Sequence, residues 1–257
     1  MRIFLTIALL FAAASCGATA ADEKAIRQSQ RFYEAAYVSW AEQGDVLAAI
    51  RHLTRAVEEN EANDDAQYLL GVLRMGRNEF ALAEKHLQLA LKHRRADRPS
   101  ARAEAQNSLG LLYIHMQRLD EAVSLLKTAA NEVLNREPWL AFGNLGWAYT
   151  ELGDFANAED ALKRALFDQP RFCVGYYRLG ALYYRQGQWE KARANLEQVT
   201  NSTESGCARM QEAWQLLGMV ALRLESTEDA IEAFEKCVSI NPTTDAGVEC
   251  RAKRAGL

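Results

Sequence analysis

FGNLGWAYTELGDF, the sequence of residues 142–155, decides the fold of this chain. It predicts a helix that ends at Gly153-Asp154. Glycine readily adopts the left-handed conformation that ends a helix, and an aspartate in the next position can cap the helix that follows. The stretch therefore predicts two helices joined by a tight turn.

The same pattern recurs along the chain. Five Leu-Gly pairs, spaced 39, 36, 34 and 38 residues apart, mark its copies: Leu70-Gly71, Leu109-Gly110, Leu145-Gly146, Leu179-Gly180 and Leu217-Gly218. Twelve residues after each glycine there is an alanine: Ala83, Ala122, Ala158, Ala192 and Ala230. A small residue there lets the second helix approach the first where the glycine has removed a side chain. A period close to 34 residues with this pattern resembles the tetratricopeptide repeat.

A sixth, degenerate copy precedes the five, with Gln43-Gly44-Asp45 as its turn and Tyr37 in the position of the packing glycine. Terminal repeats commonly depart from the pattern because one of their faces has no neighbour. We therefore predict an all-α fold, a right-handed superhelical solenoid of about six tetratricopeptide hairpins. The repeats should occupy residues 30–242, and residues 243–257 should form a C-terminal cap.

The N-terminus has a different character. Arg2 precedes a run of about a dozen apolar residues, too short for a permanent membrane span, which predicts an export signal over residues 1–15. Two processing sites compete after it. Ala13-Ala14-Ser15-Cys16 resembles a bacterial lipobox, although Ala13 stands where leucine is preferred, whereas Ala18-Thr19-Ala20 fits ordinary signal peptidase.

Acylation of Cys16 would anchor the chain to a membrane through several acyl chains. Gly17 follows the cysteine where an aspartate would retain such a lipoprotein at the inner membrane, so the periplasmic face of the outer membrane is the predicted location. Residues 16–29 would then be a tether. Cleavage after Ala20 would instead give a soluble periplasmic protein.

Nothing in the sequence predicts an enzyme. The four histidines lie at unrelated repeat positions, and no catalytic or phosphate-binding motif is present: His52, His86, His93 and His115. The net charge of −4 disfavours nucleic acid as a partner. We expect no cofactor, no metal site and no small-molecule substrate.

Four cysteines lie in the C-terminal third, an even number that predicts two disulfides in an oxidising periplasm: Cys173, Cys207, Cys237 and Cys250. Cys173 opens the first helix of the fifth repeat and Cys207 precedes the first helix of the sixth, which favours pairing Cys173 with Cys207 and Cys237 with Cys250. Sequence alone leaves all three connectivities open. Cys237 also occupies a repeat position that requires a small buried residue.

In tetratricopeptide arrays the first helices line a concave surface. The positions that face it carry mainly apolar and aromatic residues here: Val38, Tyr68, Val72, Met75, Leu111, Ile114, Trp147, Tyr177, Tyr184, Met219 and Leu222. Glu151, Arg185 and Arg223 flank them. These fourteen residues predict a groove for an amphipathic helix or extended segment of a protein partner. The alternative is that a tight superhelix buries several of them as core.

The insertion at residues 93–103, HRRADRPSARA, is basic. It is open to two interpretations, a contact with acidic lipid headgroups or a solvated loop.

An export signal with a lipobox, followed by six repeats and little else, resembles the type IV pilus pilotins, the PilF, PilW and Tgl lipoproteins. The resemblance covers the whole chain. It implies a scaffold that binds protomers of an outer-membrane secretin and promotes their assembly for pilus biogenesis and pilus-dependent motility. By residue, only Cys16 carries over, as the acylation site. A periplasmic scaffold or chaperone for another envelope complex, such as cell-wall enzymes or polysaccharide export, is the alternative.

Overall fold

The computed structural model describes residues 20–94 and 97–257. Cys16, the lipobox and Arg95 lie outside the described residues, as does all but the last residue of Ala18-Thr19-Ala20. Within the described ranges the chain forms thirteen α-helices and no strand: α1 Ala20–Tyr37, α2 Val46–Glu59, α3 Asp64–Gly76, α4 Phe80–His93, α5 Pro99–His115, α6 Leu119–Ala130, α7 Pro138–Leu152, α8 Phe155–Asp168, α9 Cys173–Arg185, α10 Trp189–Thr200, α11 Gln211–Arg223, α12 Thr227–Ile240 and α13 Asp245–Ala255.

Helices α1 to α12 pack in consecutive pairs as six antiparallel hairpins, and α13 covers the end of the array against α12. The first helices of units two to six are α3, α5, α7, α9 and α11, and each contacts the next along the array. The predicted all-α tetratricopeptide superhelix is confirmed.

Each of hairpins two to six is closed by a glycine packed against a large side chain of the second helix. A Cβ added at Gly146 would lie 2.5 Å from Cγ of Leu162 and 3.2 Å from the carbonyl oxygen of Ala158. Leu162 and Ala158 are both fully buried. The glycines of the other four copies meet an equivalent side chain at 2.6 to 2.8 Å: Gly71 with Leu87, Gly110 with Leu126, Gly180 with Leu196 and Gly218 with Phe234. The helices are therefore closer together than any side chain at this position allows.

The turn between the two helices has one conformation in all six units. One residue of each turn has a positive φ, between 59° and 78°: Gly44, Asn78, Gln117, Gly153, Gly187 and Glu225. In units two to six it lies seven positions after the packing glycine. Glycine adopts this conformation without strain, whereas Gln117 and Glu225 do not. The turn is thus imposed by the packing of the hairpin and does not require glycine.

The first unit departs from the prediction. Tyr37 does not take the packing position, because it is 49% exposed while Ala36 is fully buried in the core with Leu53. Residues Val38–Glu42 form one π-helical turn, in which Gln43 N–H donates to the Val38 carbonyl at 3.2 Å. A π turn accommodates one extra residue. That residue shifts the register, so a small side chain reaches the close contact.

The predicted tether is also wrong for residues 20–29, which are the first part of α1. Ser29 is fully buried, and its hydroxyl donates to the Ala56 carbonyl at 2.7 Å and accepts from Asn63 Nδ2 at 2.8 Å. These bonds join α1 to α2 and to the start of α3. The first hairpin therefore begins at least ten residues earlier than predicted.

Candidate partner-binding groove

Most of the residues predicted to line the groove are half-buried: Tyr68, Val72, Met75, Leu111, Trp147, Glu151, Tyr177, Tyr184, Met219 and Leu222. All of these except Leu111 and Glu151 pack against a core cluster. Arg185 and Arg223 are exposed, as is Val38 in the π turn of the first unit. We call the surface formed by these residues on the first helices the groove.

The prediction that Ile114 lines the groove is wrong. It is only 1% exposed and belongs to the main core, so it cannot contact a partner. It lies in the last turn of α5, where the neighbouring His115 takes the exposed position instead. His115 stacks on Phe80 with ring centroids 6.0 Å apart and meets the edge of Trp147 at 5.3 Å.

This contact makes His115 the centre of a line of rings that crosses units two to four. Burial, followed by the charge of Arg178, lowers the pKa of His115 below its usual value. This shift favours the neutral imidazole, which suits its position between two aromatic rings. The line continues into unit five, because the guanidinium carbon of Arg178 lies 5.0 Å from the centroid of the Trp147 ring.

A polar seam runs beside the rings, and of its residues only Tyr68 was predicted from the sequence to line the groove. Tyr68 and Ser108 share a hydrogen bond of 3.1 Å between their hydroxyls, and Asn144 Nδ2 donates to Asn107 Oδ1 at 2.8 Å. Burial raises the pKa of Tyr68 to about 12, so its hydroxyl stays protonated.

A polar residue that recurs at one repeat position could have identified part of this seam from the sequence. Ser108, Asn144 and Arg178 each precede the leucine of a Leu-Gly pair, so three consecutive repeats carry a polar residue at one repeat position. This repeat position was not among those predicted to line the groove.

The C-terminal part of the groove is formed by Tyr184, Trp189 and Arg223. The rings of Tyr184 and Trp189 meet at 5.2 Å, and the Arg223 guanidinium lies 5.7 Å from the Trp189 ring. Arg185 Nη1 donates to Glu151 Oε1 at 3.1 Å, which links the first helices of units four and five. The groove thus combines aromatic faces with cations.

Two arginines of the basic insertion, Arg94 and Arg98, fit neither of its two interpretations. Only 1% of the Arg94 side chain is exposed, and it contacts Asp64, Asp65 and Glu104 at 3.4 to 3.7 Å. Arg98 binds the same two aspartates, at 3.0 and 2.9 Å. These two arginines therefore join units two and three and are not available to a lipid headgroup.

The insertion also borders an open cavity of about 820 Å³. The cavity lies between the starts of α5 and α7 and is lined by Pro99, Asn107, Leu134, Asn135 and Trp139, among others. Asn107 connects it to the polar seam.

Both disulfides join the cysteines that the repeat geometry favoured. Cys173 bonds to Cys207 with Cα atoms 5.8 Å apart, and Cys237 bonds to Cys250 with Cα atoms 6.3 Å apart. The first bridge ties the start of α9 to the 3₁₀ turn before α11. The second holds α13 on the last hairpin, where a terminal helix would otherwise fray.

Within the described ranges, no group of three or more His, Cys, Asp or Glu side chains is arranged to hold a metal ion. In the same part of the chain no helix has the length and hydropathy of a membrane span.

Repeated helical hairpins, closed by packing glycines and stacked through their first helices, define the class of tetratricopeptide solenoids. Tetratricopeptide-repeat family models match residues 41–107, 101–166 and 177–243. The chain belongs to the tetratricopeptide-repeat family.

Among curated proteins, the chain is 25% identical over 198 residues to the BBSome complex member BBS4 of Bos taurus. This match spans 77% of the chain but only 36% of the bovine protein, little more than a third of its length.

Among solved structures, the chain resembles that of PilW, described as a widely conserved type IV pilus biogenesis factor, with a TM-score of 0.72 and 19% identity. The match covers 86% of this chain and 97% of PilW. Pseudomonas aeruginosa pilF gives a TM-score of 0.67 and 19% identity, covering 90% and 99%. The Cut9-Hcn1 structure of the APC/C gives 0.73 and 12%, covering 91% of this chain and 44% of the other. At these identities the likeness concerns the fold.

Proposed function

We propose that this protein is a lipid-anchored outer-membrane scaffold of type IV pilus biogenesis. It binds protomers of the outer-membrane secretin and promotes their assembly into the pore through which the pilus extends. Pilus-dependent motility would then require it.

The observation that carries this proposal is the agreement in size with two pilus proteins. The match with PilW and pilF takes in nearly all of both chains and most of this one. The match with Cut9-Hcn1 has a similar TM-score but takes in less than half of that chain. A shared repeat explains a partial match, whereas a match over nearly the full length of the other chain also supports a shared task.

The groove supports a protein partner. Its half-buried aromatic residues offer large apolar contacts at little cost in side-chain entropy, which is typical of interface hot spots. It would cover an apolar segment of a secretin protomer until neighbouring protomers replace it. Acylation at Cys16 would hold this step at the outer membrane.

The test uses a deletion strain of the source bacterium complemented with wild-type protein, Cys16→Ala or Leu222→Lys. Leu222→Lys places a charge in the groove. Leu82→Lys is its matched control, because Leu82 is 44% exposed on a second helix. The measurements are SDS-resistant secretin multimers in outer-membrane fractions, twitching motility and co-purification of secretin.

We expect wild type and Leu82→Lys to restore all three. Cys16→Ala should release the protein from the outer membrane and reduce the multimers, and Leu222→Lys should lose the co-purified secretin while remaining anchored. Normal secretin multimers in the deletion strain would refute the proposal. Recovery of cell-wall or polysaccharide-export proteins in place of secretin would favour the alternative scaffold.

A further inference from the structure

The groove holds a cation without a counter-charge. Arg178 extends from α9 onto the face of Trp147, and a Cβ added at Gly143 would lie 3.3 Å from its Nη1. Among the described residues no carboxylate lies within ion-pair distance of Arg178, and the neighbouring charge that acts on its pKa is that of Tyr177, which raises it. Burial outweighs the opposing effect of Tyr177 and lowers the pKa of Arg178 to about 10, so the group remains charged at pH 7.

The surroundings of Arg94, which is more deeply buried, differ from those of Arg178. Arg94 is surrounded by Asp64, Asp65 and Glu104, which together offset the cost of removing its charge from water. A cation withdrawn from water without such partners lowers the stability of the fold. The half-buried Arg178 packs on Trp147, but no carboxylate of the described residues neutralises its charge.

Two carboxylates on the neighbouring first helices do not form an ion pair with Arg178. Glu151 binds Arg185 at 3.1 Å. Glu212, at the start of α11, acts on Tyr177, whose pKa is raised by burial and then by this carboxylate. Because Arg178 is half-buried and has no ion pair with a described carboxylate, a carboxylate from outside the chain can bind it.

The surroundings define the rest of the ligand. On one side of Arg178 the rings of Trp147, His115 and Phe80 continue towards unit two, and on the other side the groove continues to Trp189. A ligand that ended at Arg178 would leave half of this surface empty. An internal acidic residue with apolar neighbours on both sides fits the whole surface.

We propose that Arg178 binds the carboxylate of an internal Asp or Glu in a partner segment whose flanking residues are apolar. The flat guanidinium would bind the carboxylate through two parallel hydrogen bonds while its face remains on Trp147. This proposal rests on the groove being the partner-binding surface proposed above, and it names the chemistry of the bound segment.

The experiment uses an array of paired twelve-residue peptides with amidated C-termini. The members of a pair are identical Leu-, Phe- and Ala-rich sequences except for Glu or Gln at the centre. Full-length mature protein with intact disulfides is titrated against the pairs by fluorescence anisotropy. The variants are Arg178→Met, Arg178→Lys, Leu222→Lys and Arg193→Met; the last removes a charge from a second helix.

For wild type and Arg193→Met we expect the Glu peptide of at least one pair to bind about tenfold more tightly than its Gln twin. Arg178→Met should bind both twins equally, and Arg178→Lys should keep only part of the preference. Arg178→Met should also unfold at the same denaturant concentration as wild type or a higher one, because it removes an unpaired charge that is withdrawn from water.

Equal binding of Glu and Gln twins by wild type would overturn the proposal, as would a preference that survives Arg178→Met. A strongly destabilised Arg178→Met protein would show that Arg178 serves the fold. If both twins bind equally and Leu222→Lys abolishes binding, the acidic ligand is refuted while the groove stands. If no pair binds, both proposals fail.

Discussion

Replacing Gly146 with alanine tests the close contact on which hairpins two to six depend. The added methyl carbon would lie 2.5 Å from Leu162 Cγ, 2.8 Å from Leu162 Cδ2 and 3.2 Å from the carbonyl oxygen of Ala158. Leu162 is fully buried and has no free space to move into. Overpacking of this kind costs about 1–3 kcal/mol. We expect Gly146→Ala to lower the free energy of unfolding by that amount.

A double-mutant cycle isolates the contact. Leu162→Ala alone should cost about 2–5 kcal/mol because it leaves a cavity. In the double variant the methyl group introduced by Gly146→Ala would enter that cavity instead of clashing. The double variant should therefore be more stable than the sum of the two single effects predicts, by about 1 kcal/mol or more.

Gly76→Ala is the matched control. Gly76 ends α3, and a Cβ added there would meet no atom within 4 Å. The same substitution should be neutral or stabilise by up to about 1 kcal/mol, because alanine favours the helix. Guanidinium unfolding followed by far-UV circular dichroism, with the disulfides intact, measures all variants. An unchanged midpoint for Gly146→Ala, or additive effects in the cycle, would refute the packing argument.

Three further predictions concern stability. Gln117 has φ near 60°, so Gln117→Gly should raise the free energy of unfolding by up to about 1 kcal/mol in the same assay; a decrease would show that its side chain matters more than the strain. Burial lowers the pKa of His86 to about 4, and its Nδ1 shares a 2.7 Å hydrogen bond with Gln67. Below pH 6.5 the unfolded state therefore binds a proton that the folded state does not bind. Stability should therefore fall between pH 6.5 and 4, and His86→Gln should reduce this slope; an unchanged slope would assign it to other groups. Replacing both Cys237 and Cys250 with alanine should raise the rate of amide hydrogen exchange throughout α13, because the disulfide stabilises this end of the chain by about 3 kcal/mol. Continued protection of that helix would show that packing alone holds it.

The groove was only partly predictable. Repeat numbering placed Trp147, Tyr177 and Tyr184 on one face, because a helix of fixed period brings equivalent positions of each unit to the same side. The same numbering misplaced Ile114, because how deeply the last turn of a first helix is buried depends on the angle at which the neighbouring units pack.

Arg178 shows the limit most clearly. Its sequence position identifies a polar residue on a first helix. The sequence does not show that none of the described carboxylates forms an ion pair with it. Arg94 looked like a solvated residue of a basic loop and proved to be buried among three acids from two units. The charge balance of Arg94 depends partly on Asp64 and Asp65, about 30 positions away, and no local pattern in the sequence identifies them.

The sequence by itself determined the fold class, the position of hairpins two to six and their packing glycines, since each depends on contacts between residues close in the chain. Tertiary structure alone decided which residue of the first hairpin is packed, because the π turn at Val38–Glu42 shifts the register and Ala36 is buried in place of Tyr37. It also decided which cations are neutralised. Periodicity specifies which face a residue occupies, whereas the distance to residues of other units follows only from how the units stack.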